Sequence, residues 1–104
     1  MTDFITVAST SDIPPGKVRS CAVDGRKVAV CNVDGTFYAI DDVCTHDGGE
    51  LDQGELDGDQ IECPRHGARF DVKTGRPLTL PAVVPVRSYP VQVADGEIKV
   101  QVDA

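Results

Sequence analysis

No apolar stretch in this sequence approaches the ~20 residues needed to cross a bilayer, so a membrane span is not expected. The opening residues Met1-Thr2-Asp3-Phe4 lack a charged leader followed by an apolar segment, so the expectation is a soluble cytoplasmic protein. No Gly-rich dinucleotide fingerprint is present, which argues against a nicotinamide- or flavin-binding domain. Helical apolar periodicity over ten or more residues is missing, as are internal repeats and low-complexity linkers. Basic residues are scarce: 10 Lys and Arg stand against 17 Asp and Glu, for a net charge of −7. From Asp41 to Glu62 there are nine acids and no lysine or arginine, which argues against nucleic acid or an anionic membrane as partner. That run reads either as a solvated acidic loop region or as a surface that steers a basic partner.

The 104 residues make one domain, 1–104, with room for a modest core. Asp24-Gly25, Asp34-Gly35 and Asp95-Gly96 each sit between β-branched or aromatic runs, the strongest short-range hairpin signal. Strands are therefore predicted at 19–23, 27–32 and 37–41 as a meander, and at 91–94 and 97–102 as a C-terminal hairpin. Further strands are expected at 4–7, 60–62 and 69–72. The architecture is all-β: a small antiparallel sandwich or barrel, with a loop-rich insertion at about 43–80. A two-residue turn at Asp24-Gly25 sets Cys21 opposite Val28 and puts Cys31 on the other sheet face. Such a pair cannot form a disulfide, and both read as buried reduced thiols.

The chemistry is concentrated in Cys44-Thr45-His46 and Cys63-Pro64-Arg65-His66, with sixteen residues between His46 and Cys63. Each segment offers one thiolate and one imidazole, using the only two histidines in the sequence. One tetrahedral zinc could take all four, making a zinc-stabilised interaction module. A usual zinc site, however, pairs like ligands within each segment. Two mixed loops facing each other can instead give both sulfurs to one metal and both imidazoles to a second. That is the ligand set of a Rieske [2Fe–2S] centre.

The flanking residues resemble Rieske ferredoxins. Ala39-Ile40-Asp41-Asp42-Val43-Cys44-Thr45-His46 is similar to the strand entering their first cluster loop. Cys63-Pro64-Arg65-His66-Gly67-Ala68-Arg69-Phe70-Asp71, with Thr74-Gly75-Arg76-Pro77, is similar to their second loop and following strand. The resemblance implies a Rieske-like fold with a cluster-binding subdomain at about 43–80 and one [2Fe–2S] cluster per chain. It implies that Cys44 and Cys63 hold the inner iron, and that His46 and His66 hold the outer, electron-accepting iron. It further implies supporting roles for Pro64, for Gly48, Gly49 and Gly67 near the sulfides, and for Pro77 and Pro81 in a covering loop. Arg65 would lie at the docking surface.

Among such proteins the sequence most resembles the ferredoxin components of bacterial ring-hydroxylating dioxygenase systems. The implied role is a monomeric one-electron carrier. It would take electrons from an NAD(P)H-dependent flavoprotein reductase and deliver them to a terminal oxygenase, docking near His46 and His66. A mononuclear oxygenase iron needs two further histidines and a carboxylate, which this sequence cannot supply. The small subunit of an assimilatory nitrite reductase is the related alternative. High-potential respiratory members carry clamp cysteines where this sequence has Gly49 and Arg65, and hydroxyl donors where it has Ala68 and Phe70. A potential low in the Rieske range is therefore expected.

Overall fold

The computed structural model describes residues 4–43, 50–64, 67–80 and 84–102. The described residues form short strands, with 3₁₀ turns at Thr10–Asp12 and Leu51–Gln53 and no α-helix. In chain order the strands are β1 (Ile5–Ser9), β2 (Val18–Val23), β3 (Arg26–Val33), β4 (Thr36–Asp41), β5 (Glu55–Asp57) and β6 (Gln60–Glu62). They continue as β7 (Arg69–Asp71), β8 (Pro77–Thr79), β9 (Ser88–Tyr89), β10 (Val91–Ala94) and β11 (Glu97–Val100). Three antiparallel sheets result, with strand orders β2-β3-β4-β9, β1-β11-β10 and β5-β6-β7-β8. Among the described residues, no helix is long and apolar enough to cross a membrane.

Turn chemistry sets the hairpins. Asp24, Asp34 and Asp95 have φ of 52°, 51° and 53°, and the glycines after them 80°, 93° and 75°. Positive φ at both central residues is the type I′ requirement, and it matches the right-handed twist of the strands it joins. Aspartate tolerates this region because its short polar side chain bonds locally, and glycine because it has no Cβ. The first turn pairs Val23 with Arg26, so Cys21 faces Val28 as the sequence implies.

The meander is the middle of the molecule. Val28, Ala29, Val30 and Cys31 of β3 are all fully buried. Alternate side chains leave a strand on opposite faces, so such a run means that both faces are covered. Val28 and Val30 join a cluster with Ile13, Phe37, Ile98 and Val100. Ala29 and Cys31 join another with Ile40, Leu51, Ile61 and Phe70. The β1-β11-β10 sheet therefore packs on one side of β3 and the β5–β8 sheet on the other.

The chain leaves the meander at the end of β4 and returns in β9, which pairs with β4 through Ala39–Tyr89 and Ile40–Ser88. Two features of the excursion between them differ from the sequence reading. Rather than being mostly loop, it carries the β5–β8 sheet, whose β5 and β8 were not expected. Pro77, assigned to a covering loop, begins β8 opposite Phe70. Proline is tolerated there because β8 is an edge strand and Pro77 is its first residue. Pro81 lies outside the described residues.

Cys21 and Cys31 are free and sit in opposite clusters, as the register predicts. Burial pushes the Cys31 thiol up to about 12, with the charge of Asp42 adding to the effect. A thiol in that range carries almost no thiolate at pH 8, and the thiolate is the reactive form. Cys31 should therefore resist iodoacetamide in the folded protein at pH 8 and react once the chain is unfolded. Rapid native labelling, read by peptide mass spectrometry, would contradict this burial.

Candidate metal centre

Of the four sequence-predicted ligands, Cys63 lies within the described residues; Cys44, His46 and His66 lie outside them. So do Gly48, Gly49 and Arg65. Cys63 follows directly on β6 and is 1% exposed, with its thiol unpaired. The backbone around it is tightly closed. Cys63 N–H donates to Ala68 C=O at 2.7 Å, and Gly67 N–H donates to Cys63 C=O at 3.1 Å. Gly67 has φ of 75°, a left-handed conformation that a residue with a Cβ adopts only with strain. Strand β8 braces the loop: Arg69 N–H donates to Thr79 Oγ1 at 3.0 Å.

The chain entering and leaving segment 44–49 is fixed from both ends. On the entering side, Asp41 N–H donates to Arg87 C=O at 2.9 Å, and Asp42 N–H to Lys27 C=O at 3.0 Å. On the leaving side Leu51 is fully buried in the cluster that contains Cys63, Ala68 and Phe70. Asp42 Oδ1 accepts from Asp52 N–H at 2.8 Å and so ties the two sides together.

Gly54 makes the two halves fit. A Cβ on it would lie 1.8 Å from the Glu62 carbonyl oxygen, next to Cys63. Its N–H donates to Leu51 C=O at 2.9 Å. One glycine thus lets the Leu51 turn press against the strand that presents Cys63. The sequence reading passed over Gly54 and the Asp42–Asp52 link, since a glycine in an acidic run looks like ordinary turn chemistry.

The acidic run is less bare than its sequence suggests. Arg69 reaches Asp57 at 3.1 Å and Glu62 at 3.3 Å; Lys73 reaches Asp59 at 3.5 Å and Lys27 reaches Glu50 at 2.8 Å. The partners come from β3, β7 and the turn after β7, and a linear window cannot see them. Exposed pairs of this kind add little stability, but they cut the net field of this face.

A buried, unpaired cysteine on a braced loop suits a metal–thiolate bond in a largely dry setting. Ala68 and Phe70 are both fully buried in the same apolar cluster as Cys63, and neither carries a hydroxyl. Residues 3–90 match the family model of the Rieske [2Fe-2S] domain. The ferredoxin CarAc of Metapseudomonas resinovorans is 43% identical over 98 residues, covering 93% of this chain and 92% of that protein. The ferredoxin of carbazole 1,9a-dioxygenase from Nocardioides aromaticivorans IC177 superposes with a TM-score of 0.90. It is 41% identical, with 93% of this chain and 95% of that one covered. A structure of the complex of reduced oxygenase and oxidized ferredoxin in carbazole 1,9a-dioxygenase contains a chain that matches at TM-score 0.89 and 42% identity. That match covers 94% of this chain and 92% of the other.

The chain belongs to the Rieske [2Fe–2S] domain family. Its cofactor is accordingly a Rieske [2Fe–2S] cluster, which when bound accepts and releases one electron. The described part of the site fits it: Cys63 would offer a thiolate ligand, and its backbone hydrogen bonds to Gly67 and Ala68 would hold that thiolate in place. Gly54→Ala should force β5 and β6 apart at Glu62, at a cost of about 1–3 kcal/mol by overpacking. The expected readout is earlier thermal loss of the cluster's visible absorption. An unchanged midpoint would contradict the close approach.

Proposed function

We propose that this protein is a one-electron carrier of a ring-hydroxylating dioxygenase system. It takes electrons from an NAD(P)H-dependent flavoprotein reductase and passes them to a terminal Rieske non-haem iron oxygenase. The observation that carries this reading is the near full-length likeness, above 40% identity, to ferredoxins of carbazole 1,9a-dioxygenase, one of them in complex with its oxygenase. The sequence's two histidines support a carrier rather than an oxygenase, because no imidazole is left for a mononuclear iron once the cluster is ligated. Cytoplasmic location and a monomeric state belong to the same proposal.

In this reading Cys44 and Cys63 hold one iron and His46 and His66 the other. The chain is a single domain, and its cluster-binding subdomain, about 43–80, is inserted into the β base. The pairing of β4 with β9 supports the insertion, because it brings the two ends of that excursion side by side. Docking near His46 and His66 is supported by exposed apolar side chains beside the second loop. Leu78 is 41% exposed and Leu80 78%, and they flank Thr79, whose hydroxyl contacts Gly67 C=O at 3.5 Å.

Anaerobic stopped-flow mixing with a flavoprotein reductase, then with a ring-hydroxylating oxygenase, tests the role directly. Fast bleaching followed by fast recolouring is expected, and failure of both steps with cluster-loaded protein would overturn the carrier reading. Cys63→Ser should abolish stable cluster assembly, whereas Leu80→Asp should keep the visible spectrum and slow electron delivery several-fold. Cluster content at the normal level in Cys63→Ser would refute the ligand assignment.

Ala68 and Phe70 cannot donate hydrogen bonds to sulfur, and nearby acids oppose added negative charge. The potential should therefore lie near the low end of the Rieske range, about −150 mV. A clearly positive value in a redox titration would contradict this tuning.

A further inference from the structure

The backbone that follows His66 in the chain is held from two sides. On one side stands Cys63: its C=O accepts from Gly67 N–H at 3.1 Å, and its N–H donates to Ala68 C=O at 2.7 Å. On the other stands the side chain of Thr79. Its Oγ1 accepts from Arg69 N–H at 3.0 Å and, as a donor, reaches Gly67 C=O at 3.5 Å. The peptide unit between Ala68 and Arg69 is thus gripped at both ends, its carbonyl by Cys63 and its amide by Thr79. A peptide unit is planar and stiff, so a tilt at the amide end is a tilt at the carbonyl end.

The register of β8 explains why a side chain does this. Arg69 pairs with Thr79 and Phe70 with Pro77, so Leu78 is an extra residue in β8. Such a bulge disrupts the ladder locally, and bulges of this kind re-aim side chains beside functional sites. Pro77 has no N–H to give to the ladder. At the bulge the Arg69 N–H turns to the Thr79 hydroxyl, a group that donates and accepts at once. Thr79 is itself exposed, so apolar burial does not account for its place here. Serine would keep the hydroxyl. Valine keeps the branched shape and the strand preference but has nothing to offer Arg69 or Gly67.

We propose that Thr79 is a positioning residue for the iron–sulfur centre, its hydroxyl fixing the Ala68–Arg69 peptide that holds Cys63 in place. The role rests on the reading in which Cys63 and His66 are ligands. Partners that orient a metal's ligands tune the metal without touching it. Here the chain of contact runs from Thr79 Oγ1 through Arg69 N–H and Ala68 C=O to Cys63 N–H. Water can satisfy Arg69 N–H when the hydroxyl is removed, but water is not anchored to β8 and holds nothing in position. Residues 67–69 then sample several tilts, and the ligand that precedes them and Cys63 sample several settings with them.

Cluster-loaded Thr79→Val and Thr79→Ser test the role by two measurements. In hydrogen–deuterium exchange, Thr79→Val should expose the Arg69 amide about three- to tenfold faster and leave the amides of β11 unchanged. In the electron paramagnetic resonance spectrum of the dithionite-reduced protein, Thr79→Val should shift or broaden the g lines of the cluster. Thr79→Ser should match the wild type in both. A valine variant with unchanged exchange at Arg69, or with the wild-type spectrum whatever its melting temperature, would overturn the role. So would a serine variant altered as much as the valine one, because the methyl group would then be what matters. If Thr79→Val does not keep its cluster, the serine variant decides: cluster and spectrum retained support the hydroxyl, and their loss overturns it. No Rieske-type signal from reduced wild-type protein would overturn the ligand assignment itself, and this role would fall with it.

Discussion

Everything in this molecule that bears on electron transfer depends on the pairing of β4 with β9. The two strands meet through only two residue pairs, Ala39–Tyr89 and Ile40–Ser88. Side chains reinforce the short ladder: Tyr89 donates its hydroxyl to Asp41, Arg26 Nη1 donates to the Tyr89 oxygen at 3.3 Å, and Arg87 lies 5.5 Å from the Tyr89 ring centre. Because β4 leads into the first cysteine–histidine segment and β9 follows the β5–β8 sheet, this join fixes where the excursion starts and ends.

The second constraint is the double burial of β3. Its Val28–Cys31 run is a shared floor for two cores, so the β1-β11-β10 sheet and the β5–β8 sheet are held through one strand. Cys63 lies in the same cluster as Ala29, Cys31 and Phe70. The Cys63 thiol, the proposed ligand, is therefore positioned by core packing as well as by its backbone hydrogen bonds. A centre that changes charge on each turnover benefits from such rigidity, since little of its surroundings must reorganise.

The sequence made the meander and the C-terminal hairpin legible because Asp-Gly turns force a conformation that few other pairs adopt without strain. The opposition of Cys21 and Val28, and the separation of Cys21 from Cys31, followed from that turn alone. Strands β5 and β8 were not legible. Glu55-Leu56-Asp57 has two acids with low strand propensity, held in part by Arg69 from β7, and β8 opens on a proline. Their pairing depends on tertiary partners and leaves no local pattern. At the site, the proposed ligand residues stood out by type and spacing, while Gly54 and the Asp42–Asp52 link emerged only from contacts. The acidic run is partly paired by Lys27, Arg69 and Lys73, all outside it, so its net field cannot be read from the run alone.

The proposed function requires two irons in unlike settings, one bound by cysteine sulfur and one by histidine nitrogen. Mössbauer spectroscopy of ⁵⁷Fe-loaded, oxidised protein reads this directly. Two quadrupole doublets of equal area, from two inequivalent ferric sites, are predicted. A single doublet from equivalent irons, or purified protein holding one zinc and no acid-labile sulfide, would contradict it.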